Sequence, residues 1–312
     1  MSPDSARVQK NKGIVLVVGA SGNCGTEIVR LLRNDEWPVR AMTRTPELAQ
    51  DLVALGAEVV KGDLTDRASL EAVCRGVDYV VASAHAALEK GDNSPQTVDR
   101  QGHRDLVDIA RGAGVKHFVY VGAIGGERYE SVDFFRIKHE TEDYIRSSGL
   151  DHTVVRGAVF METTHEFVGS RIAQSGKAVV FGGGNRLGSY VSVKDVARFV
   201  LLGLTDARLK NRAIDVSGPE HLTSMQVIDI YENVTGRRAR RTHVPVPLLR
   251  VASAVAALFH PVARRVLQVM TIAATNDVTH DTAELESEFS MQLTSFEESA
   301  RDWAAKLPQQ SR

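Results

Sequence analysis

Three glycines crowd the junction between an apolar run and an amphipathic one. Ile14-Val15-Leu16-Val17-Val18 leads directly into Gly19-Ala20-Ser21-Gly22-Asn23-Cys24-Gly25, and that into Thr26-Glu27-Ile28-Val29-Arg30-Leu31-Leu32. The order is buried strand, glycine-rich turn, helix. A chain that leaves a sheet and enters a helix in so few residues needs a tight turn, which Gly19 permits. It also needs the helix to lie close on the strand, which Gly25 permits. Gly22 then leaves the helix N-terminus bare. Ser21, Asn23 and Cys24 complete a turn whose amides can receive the pyrophosphate of a dinucleotide. The flanking strand and helix are the context that lifts this reading above a plain strand-turn-helix.

The same rhythm continues. Strands are predicted at 38–43, 57–61, 78–82, 116–121 and 151–156, with helices at 46–55, 67–74, 96–111 and 134–147 between them. Short apolar strands alternating with helices imply an α/β fold, a doubly wound parallel sheet covered on both faces. Beyond residue 156 the rhythm changes. A smaller, mainly helical C-terminal lobe is expected to lie over the carboxyl ends of the strands, where ligands bind such sheets. The expected organisation is a disordered tail at 1–12, a dinucleotide-binding domain at 13–156 and a substrate lobe at 157–312, interleaved with the sheet as one structural unit.

Composition narrows the partners. The 312 residues carry 38 Lys and Arg against 39 Asp and Glu, so no global field attracts nucleic acid. The basic run Arg237-Arg238-Ala239-Arg240-Arg241 reads as a solvated turn. The polar first ten residues do not read as a signal peptide, and the apolar stretch 251–259 is too short to span a bilayer. Cys24 and Cys74 are isolated, which suits a reducing cytoplasm. The ten histidines lack metal-ligand spacing. The expected partner is a small molecule, without nucleic acid, membrane or metal, for a monomer or homodimer. Residues 249–259 could cover the substrate or pack against a second subunit, with core packing favoured for most of them, and Gly182-Gly183-Gly184-Asn185 could cover a ligand but reads first as a hairpin turn. Asp195 reads as structural, and Arg156 as either a ligand contact or an ion-pair partner.

Several pieces in order carry a resemblance: the 19–25 turn, Thr43-Arg44, Gly62-Asp63-Leu64, Gly114-Val115-Lys116-His117-Phe118-Val119, Lys138 followed by Glu142, Ser148-Gly149-Leu150-Asp151-His152-Thr153-Val154-Val155-Arg156, Val191-Ser192-Val193-Lys194-Asp195-Val196-Ala197 and Gly218-Pro219-Glu220-His221-Leu222-Thr223. Together they make residues 13–240 similar to the NmrA-like, or atypical, branch of the short-chain dehydrogenase/reductase superfamily, with its Rossmann sheet. The resemblance implies that Asp63 lies near an adenine, though an N-cap role for the helix near Arg67 is also open to it. Reductases of the wider superfamily carry a serine after the fifth strand and a tyrosine four residues before the lysine. Here Gly122-Ala123-Ile124-Gly125-Gly126 holds no serine, and Phe134 stands in the tyrosine's place.

The end of the second strand bears on the cofactor. An acid there holds a ribose 2′-hydroxyl, whereas Thr43-Arg44-Thr45 suits a 2′-phosphate. NADPH is therefore expected, with NADH possible. The expected cofactor contacts are Gly19, Ser21, Gly22, Asn23, Cys24, Gly25, Arg44, Asp63, Leu64, Ser83, Ala84 and Lys138. Lys138 is expected at the nicotinamide ribose, and His85 is the first candidate for an alternative proton donor, ahead of Tyr120, Tyr129 and His139. The function expected is hydride transfer to a quinone or ketone, and the alternative is an NADP(H)-binding sensor that acts through a protein partner.

Overall fold

The computed structural model describes residues 12–307; the tail expected to be disordered lies almost wholly outside them. Twelve strands occur among these residues: β1 (Val15–Val18), β2 (Val39–Thr43), β3 (Glu58–Lys61), β4 (Tyr79–Ala82), β5 (His117–Ala123), β6 (His152–Gly157), β7 (Val159–Phe160), β8 (Lys177–Phe181), β9 (Leu187–Val191), β10 (Arg212–Val216), β11 (His221–Thr223) and β12 (Arg240–Val244). Seven form one parallel sheet in the order β10-β6-β5-β4-β1-β2-β3. The chain crosses from one half to the other between β1 and β4. That crossing opens a crevice at the carboxyl ends of the strands.

The unbroken apolar run in β1 is explained by burial on both faces. Val15 and Val17 pack with Ile28, Val29 and Leu32 of the helix Asn23–Asn34 and with Val196, Phe199 and Val200 of the helix Val193–Thr205. Leu16 and Val18 point the other way, toward Leu70, Leu106 and Ile145 of the helices Arg67–Val73, His103–Gly112 and Asp133–Ser147. Alternation along one strand thus feeds two cores. The last strand of the sheet, β10, comes from the C-terminal half and pairs with β6.

The strand-helix alternation and the parallel sheet are as the sequence predicts; several local expectations are not. The helix at 46–55 is a 3₁₀ turn, Pro46–Leu48, and a short helix, Gln50–Ala54. The helix at 96–111 begins as a π-helical segment, Gln96–Gly102, before regular winding. Residues 182–185 do not close a hairpin. The flanking strands join different sheets, β8 with β12 and β9 with β7 and β11. Arg240 and Arg241 open β12, and Arg241 pairs with Glu232 at 3.1 Å, so the basic run is partly built into the lobe. The stretch 249–259 is not core either. Of the helix Val246–Phe259 only Leu249 is buried.

The lobe has its own core of Met161, Ile172, Tyr231, Phe296 and Ala300. His165 sits inside it. One ring nitrogen meets the Tyr231 hydroxyl at 2.7 Å and the other the Ser299 hydroxyl at 2.8 Å, while Trp303 stacks on the ring at 5.5 Å. Burial lowers its pKa to about 4. The unfolded chain protonates this histidine near pH 6.5, the folded one only near 4. Its contribution to stability is therefore complete above about pH 6.5 and drains away as pH falls toward 4. His103 and His117, also lowered to about 4 by burial, act in the same direction. The urea midpoint should fall between pH 6.5 and 4, and His165→Gln should start lower at pH 7 but decline less steeply.

Candidate functional site

The glycines of the first turn do three different jobs. Gly19 has φ of +81°, and a Cβ there would come within 2.6 Å of the Ala84 amide nitrogen. A Cβ on Gly25 would lie 2.0 Å from the Gly19 carbonyl oxygen. Both are demands of the fold itself. Gly22 is different, because a Cβ there would touch only the Gly19 oxygen at an ordinary 3.5 Å. Among the described residues nothing requires a glycine at that position. Gly22 is also the N-cap of the helix Asn23–Asn34, which has no side-chain cap and no acid in its first turn. Its end therefore presents bare amides and the positive pole of the helix dipole.

A cleft of about 480 Å³ lies over this end. It is lined by 19 and 21–25 after β1, Met42 to Thr45 at the end of β2, Gly62 to Leu64 after β3, and Ser83 to Ala86 after β4. Phe160 and Thr163 close it from the lobe. All the expected contacts in this region thus converge on one cavity: Gly19, Ser21, Gly22, Asn23, Cys24, Gly25, Arg44, Asp63, Leu64, Ser83 and Ala84. Arg44 is exposed and makes no ion pair among the described residues. Beside it the Thr43 hydroxyl lies 3.3 Å from that of Ser21. Asp63 accepts from the amide and hydroxyl of Thr65, both at 2.8 Å. The N-cap of the helix Arg67–Val73 is Asp66, not Asp63. Ser83 donates its hydroxyl proton to the Val18 carbonyl at 3.0 Å. Burial raises the Cys24 thiol to about 12, so it lines the cleft as an inert apolar group. Asn23 donates to Glu166 of the lobe at 2.8 Å, a contact the sequence reading did not foresee.

At the β4 and β5 end, His85 stands on the cleft wall, open to solvent yet crowded by protein on its other sides. Burial and then the charge of Lys138 lower its pKa, so its imidazole is neutral near pH 7. Its ring meets Phe134 edge-on at 6.2 Å. Lys138 is only 3% exposed and does not line the cleft. Its ammonium lies 3.3 Å from Asp99, donates to the Val121 carbonyl at 3.4 Å and sits over the Tyr120 ring at 4.9 Å. Asp99 is fully buried, and its second oxygen accepts from the Ala86 amide at 2.8 Å. One carboxylate thus ties the loop that carries His85 to the lysine beneath it. Asp99 escaped the sequence reading because it lies in a helix whose π-helical start turns it inward.

The other proton-donor candidates do not reach the cleft. Tyr120 is wholly buried, with its phenol pushed far above the ordinary range by burial. The Tyr129 hydroxyl is enclosed and unpartnered among the described residues. His139 faces Asp143 at 3.7 Å on the same helix. Arg156 resolves toward an ion pair, with Glu142 at 2.7 Å and Asp215 at 3.4 Å. Asp195 accepts from the Thr294 amide at 2.8 Å and pairs with Arg198 at 3.0 Å. Arg265, also missed, grips Asp133 with two bonds of 2.7 and 2.9 Å and donates to the Ala87 carbonyl at 2.6 Å.

Comparison with known proteins agrees with this fold. Residues 11–304 match the model of the NmrA-like family. An NAD(P)H azoreductase of Xenophilus azovorans is 30% identical over 73% of this chain and 76% of its own length. A (4-alkanoyl-5-oxo-2,5-dihydrofuran-3-yl)methyl phosphate reductase of Streptomyces griseus is 33% identical over 77% of this chain and 80% of its own. The photosystem II assembly factor Ycf39 of Guillardia theta is 24% identical over 94% and 95%. Among solved structures, the Escherichia coli quinone oxidoreductase QOR2 with NADPH superposes with a TM-score of 0.74 at 20% identity, covering 92% of this chain and 99% of that one.

The steric contrast between the glycines gives a direct test. Gly25→Ala should lower folding stability by about 1–3 kcal/mol through overpacking, read as a lower urea midpoint. Gly22→Ala should leave that midpoint within about 0.5 kcal/mol of the parent.

Proposed function

Because this chain belongs to the NmrA-like family, we propose that it is an NADPH-dependent reductase acting on a small organic acceptor of the quinone or ketone type. The observation that carries the reading is the open space above Gly22, at a helix N-terminus without a side-chain cap, inside a cleft whose far rim holds Arg44, exposed and without an ion pair among the described residues. These residues fit an adenine dinucleotide. The helix-end amides take its diphosphate, Arg44 with Thr43 and Thr45 its 2′-phosphate, and Asp63 with Leu64 its adenosine side. Ser83, Ala84 and Phe160 line its course toward His85. NADH fits the same cleft but leaves Arg44 without a partner.

When bound, the reduced nicotinamide supplies a hydride; the chain supplies position and field. Lys138 holds a positive charge under the His85 end of the cleft, steadied by Asp99, and acts as a positioning residue. Phe134 excludes water where a tyrosine would donate a proton. A neutral His85 can hydrogen-bond an acceptor oxygen, and the proton that completes the reduction comes from solvent. Loss of a dedicated acid costs roughly a hundred- to ten-thousand-fold, which acceptors that reduce easily tolerate best. The absence of a tyrosine at Phe134 also favours the second reading, a nucleotide-binding factor that works through a protein partner, as does the likeness to proteins named assembly factors.

Two measurements separate these readings. In calorimetry, Arg44→Ala should weaken NADPH binding by roughly ten- to a hundredfold, as loss of a charge-assisted contact does, and leave NADH binding unchanged. Equal effects on both nucleotides would overturn the 2′-phosphate assignment. Nicotinamide oxidation should proceed with quinones, azo dyes or aryl ketones, and Lys138→Met should slow turnover by about a hundredfold while NADPH still binds. Tight binding with no turnover against the whole panel would leave the partner-dependent reading standing. Failure to bind either nucleotide would remove both.

A further inference from the structure

The C-terminal half contains a surface that the cleft does not explain. Residues 233–276 contain seven arginines and no aspartate, glutamate or lysine. Within them the helices Val246–Phe259 and Pro261–Thr275 pack against each other as a hairpin. Leu248, Val251, Val255, Leu258 and Phe259 follow helical spacing and share one outward side. All five are exposed, Leu258 to 73% and Phe259 to 82% at the hairpin tip. Arg250, near the start of the first helix, and Arg264, in the first turn after the tip, are exposed and without an ion pair among the described residues. Arg265, one turn beyond the tip, binds the Ala87 carbonyl and thereby sets the exposed Leu88 beside it.

We propose that this hairpin seats on an anionic lipid bilayer, with Leu258 and Phe259 entering the headgroup boundary and Arg250 and Arg264 pairing with lipid phosphates. The two helices carry this apolar side together with exposed arginines and no acid of their own, and so match such a surface in both hydrophobicity and charge. A second copy of the chain matches it in only one. A two-fold contact would set the same unpaired arginines against each other, with no acid in either hairpin to neutralise them. Among the described residues no helix is long and apolar enough to cross a membrane, and lying on a surface needs none. This attachment is independent of the reductase reading.

Sedimentation of the full chain with vesicles tests it. The protein should pellet with vesicles of equal parts phosphatidylglycerol and phosphatidylcholine, and at least tenfold less with phosphatidylcholine alone. Leu258→Glu with Phe259→Glu, and separately Arg250→Glu with Arg264→Glu, should each reduce partitioning at least tenfold with unchanged thermal unfolding. In Phe259→Trp, emission should shift to the blue on the anionic vesicles and be quenched by brominated lipid. A chain that stays in the supernatant, a tip variant that binds like the parent, or an unshifted tryptophan would overturn the proposal. So would a dimer in light scattering that the tip variant dissolves.

Discussion

The contact on which the molecule turns is the one between Gly25 and the Gly19 carbonyl. The helix Asn23–Asn34 lies so close to the end of β1 that a single Cβ would collide at 2.0 Å. That approach fixes where the helix starts, and so aims its bare amides over the crevice between β1 and β4. Gly19, in the left-handed region, adds the second close contact, with Ala84 after β4. Two adjacent strands are thereby pinned at the level where a ligand would lie. The two cores on either side of the sheet hold this arrangement, because each face of β1 is locked by a different set of helices.

The sheet was legible because its signal is repeated: alternating strands and helices agree with one another over many residues, and a slip in one boundary does not alter the pattern. The convergence of the expected residues on one cleft was legible for a related reason. These residues follow strand ends, and strand ends in a parallel sheet meet at one rim, so Arg44, Asp63 and Ser83 needed only their position in the order. The lobe was less legible. Strands β7 and β11 are two and three residues long, too short for periodicity to register, and β12 begins inside a basic run that resembles surface. The exposed side of the helix Val246–Phe259 misled for the opposite reason. Apolar residues ordinarily mean core, and only the fold shows that none of the described residues covers them.

The site's buried chemistry was out of reach of pattern altogether. Asp99 and Lys138 are 39 positions apart in sequence and meet at 3.3 Å. Neither burial nor partner follows from spacing on either helix. A buried pair of this kind is costly to create and costlier to break. It is steadied here on both sides: Asp99 by the Ala86 amide, Lys138 by the Val121 carbonyl and the face of Tyr120. The sequence reading placed Lys138 on the cleft surface, and the structure places it one layer beneath, behind Phe134.

Arg265 binds segments far apart in the chain: its own helix near the C-terminus, Ala87 two residues after His85, and Asp133 next to Phe134. The weakly patterned tail is therefore not a detachable appendage. Grafting the tail of another protein onto this sheet, or pruning it at residue 240, would release the clamp that holds the His85 loop and the Phe134 helix in register. In this part of the chain one guanidinium is tightly constrained, because three distant segments meet at it.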